Sequence, residues 1–424
     1  MLQVNFIENN KDLVINGLGV RGFKEIDLVE TIIKKDTLRR NTQSELDKLL
    51  AERNQASKVI GKLFSEGKRE EAEQMKNRVT EIKAAVEKLN EALNAAKQDL
   101  QQALVQLPNI PHPSVPPGNT DADNEVFKAW EGELPNGGEA GTPHWELGKK
   151  FNLLDFDLGV KITGSGFPVF LGKGAKLERS LISFFLDEAT KAGYLEVVPP
   201  LMVNSASAYG TGQLPDKEGQ MYHITEDELY LIPTAEVPIT NIYRDTILKE
   251  SDFPIKLCGY TPCFRREAGS YGKDVRGLNR VHQFDKVEIV RFEHPEKSYA
   301  ALEDMLLHVE SLLDRLELPY RILRLCGGDL GFTSALTFDF EVWAGGQGRW
   351  LEVSSVSNFE TFQANRLKLR YKDANGKTNL AHTLNGSALA LARIVAALLE
   401  NNFDGQVIRI PEVLQPYTGF DVIE

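Results

Sequence analysis

Before residue 108, apolar side chains recur at alternating spacings of three and four residues along two stretches of the chain, 46–63 and 72–107. This 3.5-residue period is typical of a coiled coil, in which two apolar seams face each other. Gly67 lies between the two stretches, where a glycine can take the positive φ of a tight reversal. The pattern predicts an antiparallel helical hairpin whose longer arm reaches about 55 Å, at about 1.5 Å per residue.

A proline-rich run at 107–118 cannot be helical, because proline removes backbone donors and blocks the helix. We therefore expect three parts: a helical arm at 1–107, a linker with a surface excursion at 108–143, and a body at 144–424. In the body, strand and helix patterns alternate, which predicts an α+β fold.

Three segments at the start of the body have clear patterns. Residues 162–170 predict a bent strand, and residues 193–200 predict a strand closed by Pro200. Residues 174–191 predict an amphipathic helix. Its buried stripe is expected to contain Leu177, Leu181, Phe184, Phe185 and Ala189.

Composition excludes several classes of protein. The 424 residues carry a net charge of −12, yet residues 31–107 hold 15 Lys and Arg against 12 Asp and Glu. That local excess of +3 on an acidic chain is compatible with an RNA-contacting arm, although a dimerisation or scaffold coiled coil would show the same periodicity. The start of the chain has no secretory pattern and no membrane span is visible, so we expect a cytoplasmic protein without a membrane partner. Three cysteines without paired spacing predict reduced thiols and no zinc site.

The stretch 259–288 concentrates charged residues that suit catalysis. Residues 257–264 and the segment around Val287 predict two strands joined by a loop that contains Gly269, Gly272 and Lys273. In a strand Arg265 and Glu267 would lie on one face, because side chains alternate with period two. A guanidinium and a carboxylate fixed on one face can bind a phosphate and an amino group of one ligand.

Other segments add polar groups. In 231–238 the extended pattern would place Thr234 and Glu236 on one face, where they can meet an ammonium and a hydroxyl. Near the C-terminus Gly386 is expected to end one element and Ser387 to cap an apolar helix. Arg393 would then lie six residues into that helix, where its burial is costly unless it is paired, here with a nucleotide.

These segments together resemble a known family. Phe264-Arg265-Arg266-Glu267, the loop, and His282 to Glu288 resemble motif two of the class II aminoacyl-tRNA synthetases. The helix and strand ending at Pro200 resemble motif one, and the helix with Arg393 resembles motif three. Three further strings, Thr234-Ala235-Glu236, GTGQLP at 210–215 and HTLNGS at 382–387, are similar to the seryl-tRNA synthetase family in particular.

The resemblance implies a role for each matching residue. Arg265, Glu267 and Arg393 would be catalytic, and Pro200 would lie in a homodimer interface. Serine would contact Thr234, Ala235, Glu236, Arg265, Glu288 and Ser387. ATP would contact Arg265, Arg266, Glu267, Val281, Phe284, Glu352, Val353, Ser354, Ser355 and Arg393, and Glu352 and Ser355 would hold Mg²⁺ through ATP.

The resemblance also implies a reaction and a fold. L-Serine and ATP would give seryl-adenylate, and the seryl group would pass to the 3′ end of tRNA(Ser), with the selenocysteine tRNA as a further candidate. The body would be an antiparallel sheet of six to seven strands flanked by helices, and the coiled-coil arm would bind tRNA. Two alternatives remain, a carrier-protein aminoacyl ligase and a non-catalytic tRNA-binding paralogue. The first is expected to lack the arm, and the second to have lost Arg265, Glu267 or Arg393.

Overall fold

The protein is described by a computed structural model over residues 1–267 and 276–424. The chain forms two compact units, Met1–Gly19 with Phe23–Pro108, and Val20–Gly22 with Asn109–Glu424. Within the described ranges, no helix combines the length and the apolar character needed to cross a membrane.

The first unit is helical. Its helices are α1 (Val4–Asn9), α2 (Lys11–Val20), α3 (Asp27–Ser65) and α4 (Arg69–Leu104). Ion pairs Lys35–Asp99 (3.3 Å) and Glu52–Arg78 (2.8 Å) join α3 to α4 and show that the two run antiparallel. The seam residues are buried as the periodicity predicts, among them Leu46, Ala56, Ala72, Ile82, Val86 and Leu93. The predicted coiled-coil hairpin is confirmed, and Gly67 turns the chain with φ +76°.

The second unit contains mixed helices and strands. Its helices are α5 (His144–Lys150), α6 (Phe156–Ile162), α7 (Gly172–Lys191), α8 (Ser205–Thr211), α9 (Glu236–Thr240), α10 (Ser298–Arg315), α11 (Thr361–Leu367), α12 (Leu391–Asn401) and α13 (Gln415–Thr418). Its strands are β1 (Glu125–Lys128), β2 (Leu154–Asp155), β3 (Val169–Phe170), β4 (Leu195–Glu196), β5 (Met202–Asn204), β6 (His223–Ile224), β7 (Leu229–Leu231), β8 (Ile247–Lys249), β9 (Ile255–Phe264), β10 (Gln283–Glu293), β11 (Tyr320–Arg324), β12 (Leu336–Ala344), β13 (Arg349–Asn358), β14 (Arg370–Lys372), β15 (Thr378–Leu380), β16 (His382–Ala390), β17 (Ile408–Arg409) and β18 (Val422–Ile423).

One large sheet organises this unit. In the described residues it has eight strands in the order β1-β11-β12-β13-β16-β10-β9-β4. Its pairs are antiparallel except for β4, which runs parallel to β9. The α+β fold with an antiparallel sheet is confirmed, although the sheet is wider than the six to seven strands expected. The extra width comes from the edges, where β1 and β4 are too short to show a hydrophobic alternation.

Helices α7, α10 and α12 pack against the sheet and form the main core with it. The predicted stripe of α7 is fully buried in this core, together with residues of α10 and α12. This prediction succeeded because the apolar residues of α7 repeat at helical spacing over about three turns.

Three shorter segments differ from their predictions. The bent strand expected at 162–170 is only the two-residue β3, and Ile162 ends helix α6. Of the strand expected at 193–200, only β4 pairs with a neighbour. The excursion expected within 108–143 contributes strand β1 to the edge of the sheet. Short, exposed edge segments carry little hydrophobic pattern, so the sequence does not define their ends.

Candidate active site

Strands β9 and β10 form the predicted hairpin at the centre of the site. They pair antiparallel, with Phe264 opposite Gln283 and Cys263 opposite Phe284. The strand-loop-strand prediction is confirmed for both strands. Gly269, Gly272 and Lys273, which were assigned to the connecting loop, lie outside the described residues.

The backbone at Arg265 and Glu267 differs from the strand predicted there. Strand β9 ends at Phe264, and Glu267 has φ +49°, so the two-residue alternation of a strand does not continue through it. Arg265 extends over the Phe284 ring, with its guanidinium carbon 5.2 Å from the ring centroid, and its Nε donates to the Pro233 carbonyl (3.2 Å). Glu267 pairs with Arg280 at 3.2 Å. A turn and an ion pair therefore hold this carboxylate.

Arg393 meets the hairpin from helix α12. The helix begins at Leu391, so Arg393 is its third residue rather than its sixth, and the Ser387 cap is wrong. Gly386 and Ser387 lie inside strand β16. The Arg393 side chain donates from Nε to the Asn279 carbonyl (2.8 Å) and from Nη1 to the Glu352 carbonyl (2.6 Å).

The two predicted arginines lie within electrostatic range of each other. Burial lowers the pKa of Arg393; the Glu352 carboxylate opposes this shift, and the charges of Arg280 and Arg265 add to it. Charges in a protein act on each other mainly at short range, so Arg265 and Arg393 belong to one group of charged side chains. Guanidinium groups beside the aromatic face of Phe284 are a combination that suits a nucleotide.

The segment with Glu352 and Ser355 owes its geometry to a β-bulge. Residues three apart in a regular strand lie on opposite faces. Here the register of β12 and β13 shifts, so that Glu352 lies opposite Glu341 and Ser355 lies opposite Asp339. Val353 is the extra residue of this bulge, and Glu352 and Ser355 consequently share one face of the sheet. Ser354 is buried, and its hydroxyl donates to the Ser387 carbonyl (2.6 Å).

A second group of polar residues lies beside Arg265. Thr234 follows Pro233, whose carbonyl binds Arg265, and its hydroxyl donates to Glu288 (3.0 Å). Lys286 donates to the same Thr234 hydroxyl (2.9 Å) and pairs with Glu288 at 2.5 Å. Lys286 and Glu288 are almost fully buried. Charges this deeply buried are stable only when paired and hydrogen-bonded, as these are.

Glu236 joins this group from the start of helix α9, not from the extended segment predicted. Its Oε1 accepts from Gln363 (2.6 Å), and Gln363 in turn accepts from Thr383 (2.7 Å). Burial, and then the Glu288 carboxylate, raise the pKa of Glu236 to about 7. Ser387 lies directly opposite Glu288 on the neighbouring strand and therefore on the same face.

The remaining residues predicted for the site and the interface differ in their exposure to solvent. Ala235 and Val281 are buried, whereas Arg266 and Pro200 are exposed. Sequence reasoning missed Lys286, Gln363 and Thr383. Lys286 could have been found from the sequence. It lies two residues from both Phe284 and Glu288, which places all three side chains on one face of a strand. Thr383 lies in the string at 382–387 that carries the resemblance but was given no role of its own, and Gln363 gave no local signal, since only the fold brings the two to Glu236.

Comparison with known proteins agrees with this arrangement. Residues 221–402 match the family model of the tRNA synthetase class II core domain (G, H, P, S and T), and residues 1–111 match that of the seryl-tRNA synthetase N-terminal domain. The serine--tRNA ligase of Salinibacter ruber is 52% identical over 423 residues, which cover 99% of this chain and 98% of the relative.

Solved structures agree as well. The seryl-tRNA synthetase from Pyrococcus horikoshii, complexed with ATP, has a TM-score of 0.92 at 36% identity and covers 100% of this chain and 99% of that one. The cytoplasmic serine-tRNA ligase from Naegleria fowleri, in complex with AMP, has a TM-score of 0.86 at 27% identity, with coverage of 100% and 99%.

The antiparallel sheet and the match to the core-domain model define a class II aminoacyl-tRNA synthetase. Within that class, the chain belongs to the seryl-tRNA synthetase family, the serine--tRNA ligases. The ligase activity predicted from the sequence is thereby confirmed.

Proposed function

We propose that this chain activates L-serine with ATP at a site formed by Arg265 and Arg393 and passes the seryl group to the 3′ end of tRNA(Ser) in the cytoplasm. The observation that carries this proposal is the position of Arg265. Its guanidinium lies over Phe284 on the nucleotide side and bonds to the carbonyl of Pro233, next to Thr234, on the amino-acid side. One cation can therefore contact both reactants.

The first step needs such a cation. A serine carboxylate oxygen attacks the α-phosphorus of ATP, the bond to the bridging oxygen breaks, and pyrophosphate leaves. Two anions approach each other in this step, so a guanidinium between them lowers the barrier electrostatically. Arg393, whose guanidinium donates to two backbone carbonyls, would bind the leaving phosphates. Glu267 would accept from the adenine amino group, and Phe284 would stack on the base.

The second step, transfer of the seryl group, would take place at the same site. A ribose hydroxyl at the 3′ end of the tRNA attacks the acyl carbon, the bond to phosphate breaks, and AMP leaves. This step requires mainly that the two reactants are held in line. The selenocysteine tRNA would be accepted wherever its acceptor end and long variable arm meet the same surfaces, because RNA of this kind is read largely by shape and backbone.

The buried polar group beside Arg265 would bind the amino acid. Glu236 would meet the serine ammonium, and Glu288, with Thr234 and Ser387 beside it, would meet the hydroxyl. A site built to hydrogen-bond a substrate hydroxyl rejects the analogue without it by about 10⁴-fold, since buried polar groups are then left unpaired. Measuring ATP–pyrophosphate exchange with each amino acid in turn tests the proposal, and alanine exchange as fast as serine exchange would overturn it.

We expect serine binding to depend on pH through Glu236. With its pKa near 7, this carboxyl is mostly protonated at pH 6 and mostly ionised at pH 8. Because the ionised form attracts an ammonium, KM for serine should fall about tenfold between these values. The measurement is serine KM in pyrophosphate exchange. Glu236→Gln should raise KM and remove this dependence, and an unchanged slope in that variant would exclude Glu236 as its source.

Mg²⁺ would fit beside Glu352 and Ser355. These are hard oxygen donors that share one face of the sheet, which is the chemistry that Mg²⁺ selects together with phosphate oxygens. Within the described ranges no group of three or more His, Cys, Asp or Glu side chains could hold a metal ion by itself. The ion would therefore arrive with ATP, and when bound it would neutralise phosphate charge.

The coiled-coil arm would contact the tRNA. Exposed basic side chains on its outer faces could meet phosphates at spaced points, among them Lys58, Lys62, Lys68, Lys76 and Lys83. The net positive charge of 31–107 on an otherwise acidic chain favours this role over that of a scaffold.

Pro200 would lie in a homodimer interface. Around it Leu195, Val198, Leu201 and Met202 are exposed by 65%, 89%, 37% and 47%. Several large apolar side chains exposed within eight residues of one another are typical of a protein–protein contact.

Val198→Glu should therefore convert a dimer into a monomer, because a dimer would have to bury the introduced charge twice. Sedimentation equilibrium gives the mass directly. Leu307→Glu is the matched control, since Leu307 is also 63% exposed but lies on helix α10. A dimer that persists in the Val198 variant would place the interface elsewhere.

A further inference from the structure

A buried histidine–glutamate pair lies outside the groups discussed so far. His144 is the first residue of α5 and Glu400 lies near the end of α12, and neither side chain is exposed at all. His144 Nδ1 lies 2.6 Å from Glu400 Oε1, and the His144 backbone N–H donates to the same oxygen (2.9 Å). The carboxylate also accepts from the Gly346 N–H (2.9 Å) and from Gln347 Nε2 (3.0 Å). Burying these two polar side chains without such partners would be costly in free energy, so their hydrogen bonds are part of what stabilises the fold here.

The hydrogen bonds determine which ring nitrogen carries the proton. The Leu278 backbone N–H donates to His144 Nε2 at 2.8 Å, so Nε2 is an acceptor and has no proton. The ring proton is then on Nδ1, where it is donated to Glu400. Glu400 thus selects the tautomer, and that tautomer is the one able to bind Leu278.

The pair and its neighbours hold four consecutive residues, Arg276–Asn279. The Arg276 guanidinium lies 4.4 Å from the centroid of the Trp145 ring. Gly277 has φ +66°, and a Cβ there would come within 2.2 Å of His144 Nε2, so only glycine fits. Leu278 is fully buried, and Asn279 Nδ2 donates to Gln347 Oε1 (2.8 Å).

This segment is connected directly to the residues proposed to bind the nucleotide. The Asn279 carbonyl accepts from Arg393 Nε, and the next residue, Arg280, pairs with Glu267. Arg393 and Glu400 are seven residues apart on α12, which is close to two turns, so both project from the same face of that helix. The helix therefore holds the segment at two points, through Arg393 and, by way of His144, through Glu400.

We propose that His144 and Glu400 form a positioning pair for the ligase reaction: they fix residues 276–279 and thereby set the orientation of Arg393 and Arg280 toward the nucleotide. The inference rests on the proposed nucleotide role of Arg393. Neither residue contacts the groups assigned to serine, so the pair should govern ATP binding selectively.

The test is His144→Phe, which keeps a ring of similar shape and removes both ring hydrogen bonds. KM for ATP in pyrophosphate exchange should rise about tenfold, as expected when the Leu278 hydrogen bond that holds the segment is lost, while KM for serine stays within about threefold. Amide hydrogen exchange of residues 276–282 should become at least about tenfold faster. His144→Gln, which restores an acceptor for Leu278, should recover part of both effects.

His308→Phe is the matched control, because it makes the same change at a histidine of the same unit that lies on α10. It should leave both KM values and the exchange of residues 276–282 unchanged. A folded His144→Phe protein with unchanged ATP KM, or with equal changes in both KM values, would overturn the proposal.

A second variant decides the question if His144→Phe fails to fold. Gly277→Ala leaves the buried pair intact and forces the segment away from it, and it should raise ATP KM selectively. An unchanged ATP KM would overturn the inference. Should the wild-type protein show no serine-dependent exchange, the proposed function fails, and hydrogen exchange at 276–282 still reports whether the pair holds the segment.

Discussion

Replacing Arg265 with alanine is expected to lower serine-dependent ATP–pyrophosphate exchange by about 10³-fold or more, because the guanidinium between two approaching anions is lost. The fold should survive. In the absence of ligands Arg265 makes a hydrogen bond to Pro233 and a cation–π contact with Phe284, so the free energy of unfolding should fall by about 1–2 kcal/mol. Steady-state exchange and a urea titration measure the two quantities.

Two further variants make this result specific. Arg265→Lys keeps the charge but loses the planar fork that binds two oxygens together, so its activity should fall between those of the alanine variant and the wild type. Arg409→Ala removes an exposed arginine that pairs with Asp404 on the surface, and it should leave exchange unchanged. Exchange by Arg265→Ala within about tenfold of wild type would remove this residue from the catalytic step.

Deleting residues 39–97, with a short Gly-Ser turn in their place, should leave pyrophosphate exchange intact and abolish tRNA charging. The residues proposed for adenylate formation all lie in the second unit, whereas the arm offers the exposed basic side chains proposed to contact RNA. The cut joins α3 and α4 close to the pair Lys35–Asp99, so the shortened hairpin keeps buried seam residues such as Ile32 and Leu100. Exchange and aminoacylation of tRNA(Ser), measured on the same preparation, separate the two steps.

A milder variant tests the same idea without shortening the chain. Replacing the exposed Lys58, Lys62, Lys68 and Lys76 with glutamine should weaken charging and reduce its salt dependence, because fewer counterions are released when RNA binds. Pyrophosphate exchange should not change. If the arm deletion removed exchange and charging equally, the arm would be needed for the fold or the chemistry of the second unit instead.

Local sequence patterns determined several of the main helices and strands of this protein. The seam of α3 and α4, the buried stripe of α7 and the hairpin of β9 and β10 follow from periodicities that each segment carries by itself. A role for Arg393 was also readable, because a charged residue within an apolar helix needs a partner. Arg265 was found through its spacing from Glu267, and the role of Glu288 was implied by the resemblance to the family.

The tertiary structure decided the rest, because those contacts join residues that are distant in sequence or depend on single backbone angles. Glu267 turns with a positive φ, Glu236 starts a short helix, and a register shift brings Glu352 and Ser355 to one face. His144 and Glu400 are separated by 256 residues and meet only in the folded core. Periodicity reports which face of an element is buried, but it carries no information about which partner another element will bring there.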